Sequence, residues 1–246
     1  MIAVLSPAKN MRSVKIDGLR LTLPQFQGQT ERLAGELKKY QPYELESLMK
    51  VNPGIALRAF QDYQDFCFDM KGSAAALSYH GLAYQNLNAA DFSLEDFSFA
   101  SEHLRILSAL YGLLRPADAI RPYRLELQCR VKIDGETLYG FWGDQIYRVL
   151  FRRGCPVINL ASGEYARAVR PYVRPEDRWI TCEFLVRRRG RLVTLATGAK
   201  MARGQMARAI VKNRWEQPEN LKQFCWGGYE FCEEFSNDRR YVFILP

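Results

Sequence analysis

The 246-residue sequence has only two histidines, His80 and His103, and no C-x-x-C pair among its six cysteines, Cys67, Cys129, Cys155, Cys182, Cys225 and Cys232. Zinc sites and disulfide frameworks need closely spaced ligands or regularly placed cysteines, so neither is expected. The thiols read as reduced, mostly buried side chains of a cytosolic protein. No apolar run reaches the roughly 18–20 residues of a membrane span, so no membrane partner is expected. The opening residues, MIAVLSPAKN, have no basic stretch before an apolar one and read as a buried first strand rather than a signal peptide. There is no repeat, no low-complexity tract and no flexible linker, which favours one α+β domain over 1–246. The motifs G-x-S-x-G, G-x-G-x-x-G, H-E-x-x-H and the P-loop are missing. A Ser-His-Asp triad would have only His80 or His103 to draw on, and neither adjoins a nucleophile elbow. No cofactor and no metal is therefore expected.

Positive charge is plentiful and unevenly placed. The net charge is +8, with −1 over residues 1–100, +12 over 101–215 and −3 over 216–246. Arginine outnumbers lysine 25 to 10. Guanidinium groups fork phosphate oxygens and stack on flat rings, so an arginine-rich block suits a polyanionic or phosphate-bearing partner. Charges spread over a solvated face are the alternative.

Periodicity predicts strands at 2–6, 75–79, 125–133 and 156–162, and hairpins at 179–197 and 229–245. Helices are predicted over 29–40, 42–50, 55–66, 138–154 and 198–214. Ser93 and Asp96 form a capping box that opens a further helix running to Gly112. Pro116 would then start a short second helix, and the pair has the outline of a helix-hairpin-helix.

Four stretches carry candidate chemistry. Ser6 and Lys9 follow the first strand, where ligand-facing groups collect. Arg115, Arg121 and Arg124 surround the prolines of LYGLLRPADAIRPYRLE, and helix starts there would offer N–H groups to phosphate. Asp144 follows an aromatic pair, and Asn159, Ser162 and Tyr165 follow a buried strand. Lys200 and Arg203 share a helix face, with Arg208 diverging from it. Each has an ordinary structural reading beside the functional one: a solvated turn, an αα-corner, core packing, a solvated helix face.

Taken together, the stretches LSPAK (5–9), DFSLEDFSFASEHLRILSALYGLLRPADAIRPYRLE (91–126), LYGFWGD (138–144), INLASGEY (158–165), AKMARGQMAR (199–208) and GYEF (228–231) resemble the YaaA family of bacterial peroxide-stress-resistance proteins. The resemblance spans nearly the whole chain. It implies a cytosolic protein that protects cells from hydrogen peroxide by lowering unincorporated iron and so limiting damage to DNA. It also implies a mixed α/β fold with a helix-hairpin-helix-like element and a positively charged cleft that can bind DNA. The family motif positions here are Ser6, Lys9, Arg115, Arg121, Arg124, Glu126, Asp144, Asn159, Ser162, Tyr165, Lys200 and Arg203. The chain departs from the family pattern at Leu82, usually acidic, and at Asn86, usually glycine.

The leading expectation is a stress protein that binds DNA through its phosphates with little sequence specificity, using Lys9, Arg115, Arg121, Arg124, Lys200, Arg203 and Arg208. The alternative is an enzyme acting on a nucleotide or a damaged base, with Lys9, Glu126, Asp144, Ser162 and Lys200 as candidate catalytic groups and a desolvated lysine as base or nucleophile. A dedicated iron site is not expected from two histidines and scattered cysteines. The oligomeric state is not readable.

Overall fold

A computed structural model describes residues 1–14, 17–68 and 72–246. Its centre is a nine-stranded mixed sheet. In chain order its strands are β1 (Ile2–Leu5), β2 (Leu104–Ser108), β3 (Gly112–Leu114), β4 (Val157–Asn159), β5 (Trp179–Arg188), β6 (Arg191–Val193), β7 (Cys225–Trp226), β8 (Tyr229–Phe231) and β9 (Arg240–Leu245). They lie in the order β7-β8-β9-β5-β4-β1-β2-β3, with β6 paired to β5. The five inner strands β2, β1, β4, β5 and β9 are all parallel. The outer pairings are antiparallel. Strands buried on both faces need unbroken apolar runs; IAVL is one, and VIN is apolar up to Asn159, with every residue of both strands buried. Counted along the chain, the inner strands take the order 2-1-3-4-5, the doubly wound arrangement whose order reverses beside the first strand. Helices and loops flank the sheet, and one apolar core extends from Met1 to Phe243. The result is a single mixed α/β domain. No helix among the described residues is long and apolar enough to cross a membrane.

The helices predicted at 29–40, 42–50 and 55–66 appear as Gln27–Leu37, Pro42–Met49 and Pro53–Gln64. The Ser93–Asp96 capping box forms, with the Asp96 N–H donating to Ser93 Oγ at 3.1 Å. The helix it opens nevertheless ends at His103 rather than Gly112. Leu104 turns extended and the chain becomes β2 and β3. The apolar residues Leu104, Leu107 and Leu110 imitate a helical stripe, but here Leu104 and Leu107 belong to a strand wedged between β1 and β3, and Leu110 lies in the turn that follows. Gly112, at φ 69°, makes the tight turn under Trp142. Residues 115–118 are a turn closed by Asp118, so the helix-hairpin-helix expected at 93–126 does not form.

The helix expected over 138–154 is broken at Gly143 (φ 47°) into Leu138–Trp142 and Gln145–Leu150. The strand expected at 75–79 is the short buried helix Ala75–Ser78, followed by a two-residue strand. That expected at 125–133 survives only as Lys132–Ile133. The basic helix spans Ala196–Lys212.

Candidate functional site

In open parallel sheets, ligands settle outside the carboxyl ends of the strands where the strand order reverses. Here that point lies between β1 and β4. A cavity of 420 Å³ opens there, lined by Ser6–Asn10 just beyond β1 and by Leu160, Ser162, Glu164 and Tyr165 just beyond β4. Its remaining walls are the helix Leu82–Leu87, the segment Tyr123–Glu126 and the basic helix at Lys200 and Arg203. The two helices approach closely because residue 204 is glycine: a Cβ there would collide with the Ala83 carbonyl.

Hydrogen bonds stitch the rim. Ser162 N–H donates to Ser6 Oγ at 2.8 Å, and Ser6 Oγ donates to Ser162 Oγ at 3.2 Å. Tyr84 Oη donates to the Ser6 carbonyl at 2.8 Å. From the wall residue Tyr123, hydroxyl contacts of 2.8 Å run to Tyr79 and to Ser108. Tyr63 donates to the Arg124 carbonyl. Gln205 donates to Asn86 Oδ1 at 3.2 Å, so the asparagine ties the two helices together.

The cavity is rich in charge. Glu126 is clamped by Lys9 at 2.8 Å and by Arg124 at 3.0 Å. Arg124 also donates to the Lys9 carbonyl at 3.1 Å. Lys200 and Arg203 add two further cations, and Glu164 a second carboxylate. Three buried atoms have no hydrogen-bond partner among the described residues: Arg124 Nε, Arg203 Nε and Glu164 Oε1. Such orphans normally cost stability, and in a pocket they indicate groups awaiting a ligand. Burial raises the Glu164 carboxyl above the usual carboxylate range, and the nearby Glu126 charge adds to the rise. Burial lowers Arg203 from its ordinary value. Four cations facing two carboxylates, with two N–H donors unclaimed, suit an anion chemically; the free oxygen of Glu164 can meet a donor on the same ligand.

Of the residues selected from sequence, Ser6, Lys9, Arg124, Glu126, Ser162, Tyr165, Lys200 and Arg203 meet in this cavity. Asn159 lies beneath it and holds the turn, accepting the Ala161 N–H at 3.0 Å. Others lie elsewhere. Arg115 pairs with Asp118 at 3.0 Å and donates to the Leu23 carbonyl at 3.1 Å. Arg121 is outside the lining, its backbone N–H given to Tyr111 Oη. Arg208 pairs with Asp91 and ties down the carbonyls of Leu87 and Asn88 at the end of the neighbouring helix. Asp144 is held by Arg148 at 2.7 Å on a helix surface. Glu164, Tyr84 and Tyr123, all cavity residues, are not among those singled out from the sequence. A carboxylate one turn past a buried strand was the available signal for Glu164. Leu82 also lines the cavity.

These features define a doubly wound α/β protein with a cationic pocket at its strand-order reversal. The sequence pattern of the family described as peroxide stress protein YaaA matches residues 1–235. Relatives named UPF0246 protein agree along their full length. One from Clostridioides difficile is 37% identical over 245 residues, covering 99% of both chains. One from Agathobacter rectalis is 38% identical over 245 residues, 99% of this chain and 98% of the relative. One from Bacteroides fragilis is 40% identical over 252 residues, again 99% and 98%. The chain belongs to this family of peroxide stress proteins.

Proposed function

We propose that the protein binds DNA through its phosphates at this pocket, seating one nucleotide unit, and so shields DNA from iron-dependent oxidative damage during peroxide stress. One observation carries the reading: Lys9, Arg124, Lys200 and Arg203 converge on a space where two guanidinium Nε donors are unclaimed. A cavity of 420 Å³ is the size of a nucleotide, not of a duplex. Cations without a bidentate base reader give phosphate contacts and little sequence preference. The experiment is the affinity for a DNA oligonucleotide against salt. The combined change Lys9→Gln and Lys200→Gln should flatten the slope of log affinity against log salt by about 1.4–1.8, two phosphate neutralisations. An affinity that ignores salt would overturn the reading.

A second reading is favoured by the two carboxylates. Glu126 is clamped between cations, while Glu164 is desolvated and has a free oxygen. Two carboxyls whose environments differ in this way suit acid–base work on the bound nucleotide, with Glu164 as the proton donor. Lys9, engaged by Glu126, is then a positioning cation rather than a nucleophile. Mass spectrometry of nucleotides and damaged oligonucleotides after incubation tests this: products should appear with the native protein and be lost in Glu164→Gln.

A further inference from the structure

The hairpin of β5 and β6 ends in Arg187-Arg188-Arg189-Gly190-Arg191, and all five residues are exposed. We infer that this arginine tip is a second nucleic-acid contact, which holds the phosphate backbone of a strand while one of its nucleotides occupies the pocket; the inference rests on the nucleic-acid reading above.

The local geometry disfavours these arginines. The register sets Arg188 directly opposite Arg191, a like-charge cross-strand pair. Arg189 and Gly190 both have positive φ, 48° and 75°. That is the two-residue turn in which asparagine or glycine is the ordinary choice at the first position. No described residue forms an ion pair with any of the four guanidinium groups. Hairpin formation explains Gly190 but not its neighbours, whereas a polyanion neutralises all four.

The tip also points to the right end of the molecule. Thr181 pairs with Asn159, the last residue of β4. Beyond it, β5 runs seven residues further, to Arg188, about 23 Å at the usual strand rise. It therefore runs past the carboxyl ends of β1 and β4, on the side of the sheet that holds the pocket, with β9 paired beside it as far as Val186 and only the arginine tip beyond. The chain then returns through β6 and enters the basic helix, which brings Lys200 and Arg203 to the pocket wall. Eight uncharged residues, 192–199, connect the tip to the wall.

A nucleic acid fits better than an anionic membrane. Leu192 packs against the small apolar cluster at Leu185, Val242 and Ile244, and only Val193 exposes apolar surface beside the tip. That leaves no apolar wedge to enter a bilayer.

The test combines Arg187→Gln, Arg188→Gln, Arg189→Gln and Arg191→Gln in the full chain. Thermal unfolding checks that the fold is kept. Affinity is measured for labelled single-stranded oligo-dT of about twenty nucleotides over about 50–200 mM salt, and for the mononucleotide dTMP. The expected result is at least a tenfold loss of oligonucleotide affinity, a salt slope shallower by up to about 3 and unchanged dTMP binding. Unchanged oligonucleotide affinity and slope would overturn the hairpin's role and leave the pocket reading standing. Native protein that binds neither ligand would overturn the pocket reading itself. Binding to phosphatidylserine vesicles that depends on the four arginines, with oligonucleotide binding unaffected, would overturn the assignment in favour of a membrane.

Discussion

Ser6 and Ser162, 156 residues apart, are joined across the strand-order reversal: Ser6 Oγ accepts the Ser162 N–H at 2.8 Å and donates to its Oγ at 3.2 Å. The bond fixes the two loops that carry Lys9 and Glu164. Ser6→Ala leaves that N–H without its acceptor in a half-buried place, a cost of about 1–3 kcal/mol. Urea unfolding should show this loss, and anion affinity should fall with it. An unchanged midpoint would mean that water replaces the hydroxyl and that the bond does not hold the rim.

Gly204 is where the basic helix meets the helix Leu82–Leu87. Gly204→Ala pushes a methyl group into the Ala83 carbonyl, which is backbone and cannot swing away. Overpacking of this kind costs about 1–3 kcal/mol or more. The melting temperature should drop by several degrees and the pocket wall should move outward, weakening ligand binding as well.

Glu164 sets the pH response of the site. Its carboxyl is raised mainly by burial, so in the folded chain it keeps its proton to higher pH than in the unfolded one. The stability linked to it is full below the ordinary carboxylate range and is lost as pH rises through the raised value. An anionic ligand strengthens the preference for the proton. Affinity should therefore fall as pH rises through that titration, and Glu164→Gln should flatten the profile. An identical profile in the variant would remove Glu164 from the site.

Asp96 gives the opposite sign. Burial works to raise its carboxyl, but hydrogen bonds from Lys212, the Ser93 N–H and Arg214 outweigh this and lower it to about 2. Lys212 sits at 2.7 Å and Arg214 at 2.8 Å. The stability it contributes is present above the unfolded value near 3.8 and is lost as pH falls toward 2. The loss is about 1–2 kcal/mol, because solvent screens the two partly exposed cations. Asp96→Asn should make acid unfolding shallower in that window.

The sequence was most informative where one signal had one cause. The unbroken apolar run IAVL and the buried strand that ends at Asn159 were legible, and with them the two loops of the pocket. Lys200 and Arg203 were legible because spacing by three puts both on one helix face. Residues 104–112 look helical because their leucines are three apart, whereas the strand character of 104–108 comes from β1 alongside, a partner about a hundred residues distant in the chain. Gly143 hid in a good helical pattern, since a single glycine is often tolerated there. Charge alone did not separate Arg115, Arg208 and Asp144, which serve local ion pairs, from the arginines that face the cavity. Arg115 and Asp144 find their opposite charges three and four residues along, at Asp118 and Arg148, whereas the fold brings Asp91 to Arg208 from 117 residues away.

In the proposed phosphate site, Arg124 and Arg203 keep their Nε–H groups for the ligand. The most direct measurement is the NMR signal of these two Nε–H groups during titration with a short single-stranded DNA. Both should shift together and saturate at the concentration that saturates binding. Signals that stay fixed while the DNA binds would place the ligand elsewhere and contradict the claim.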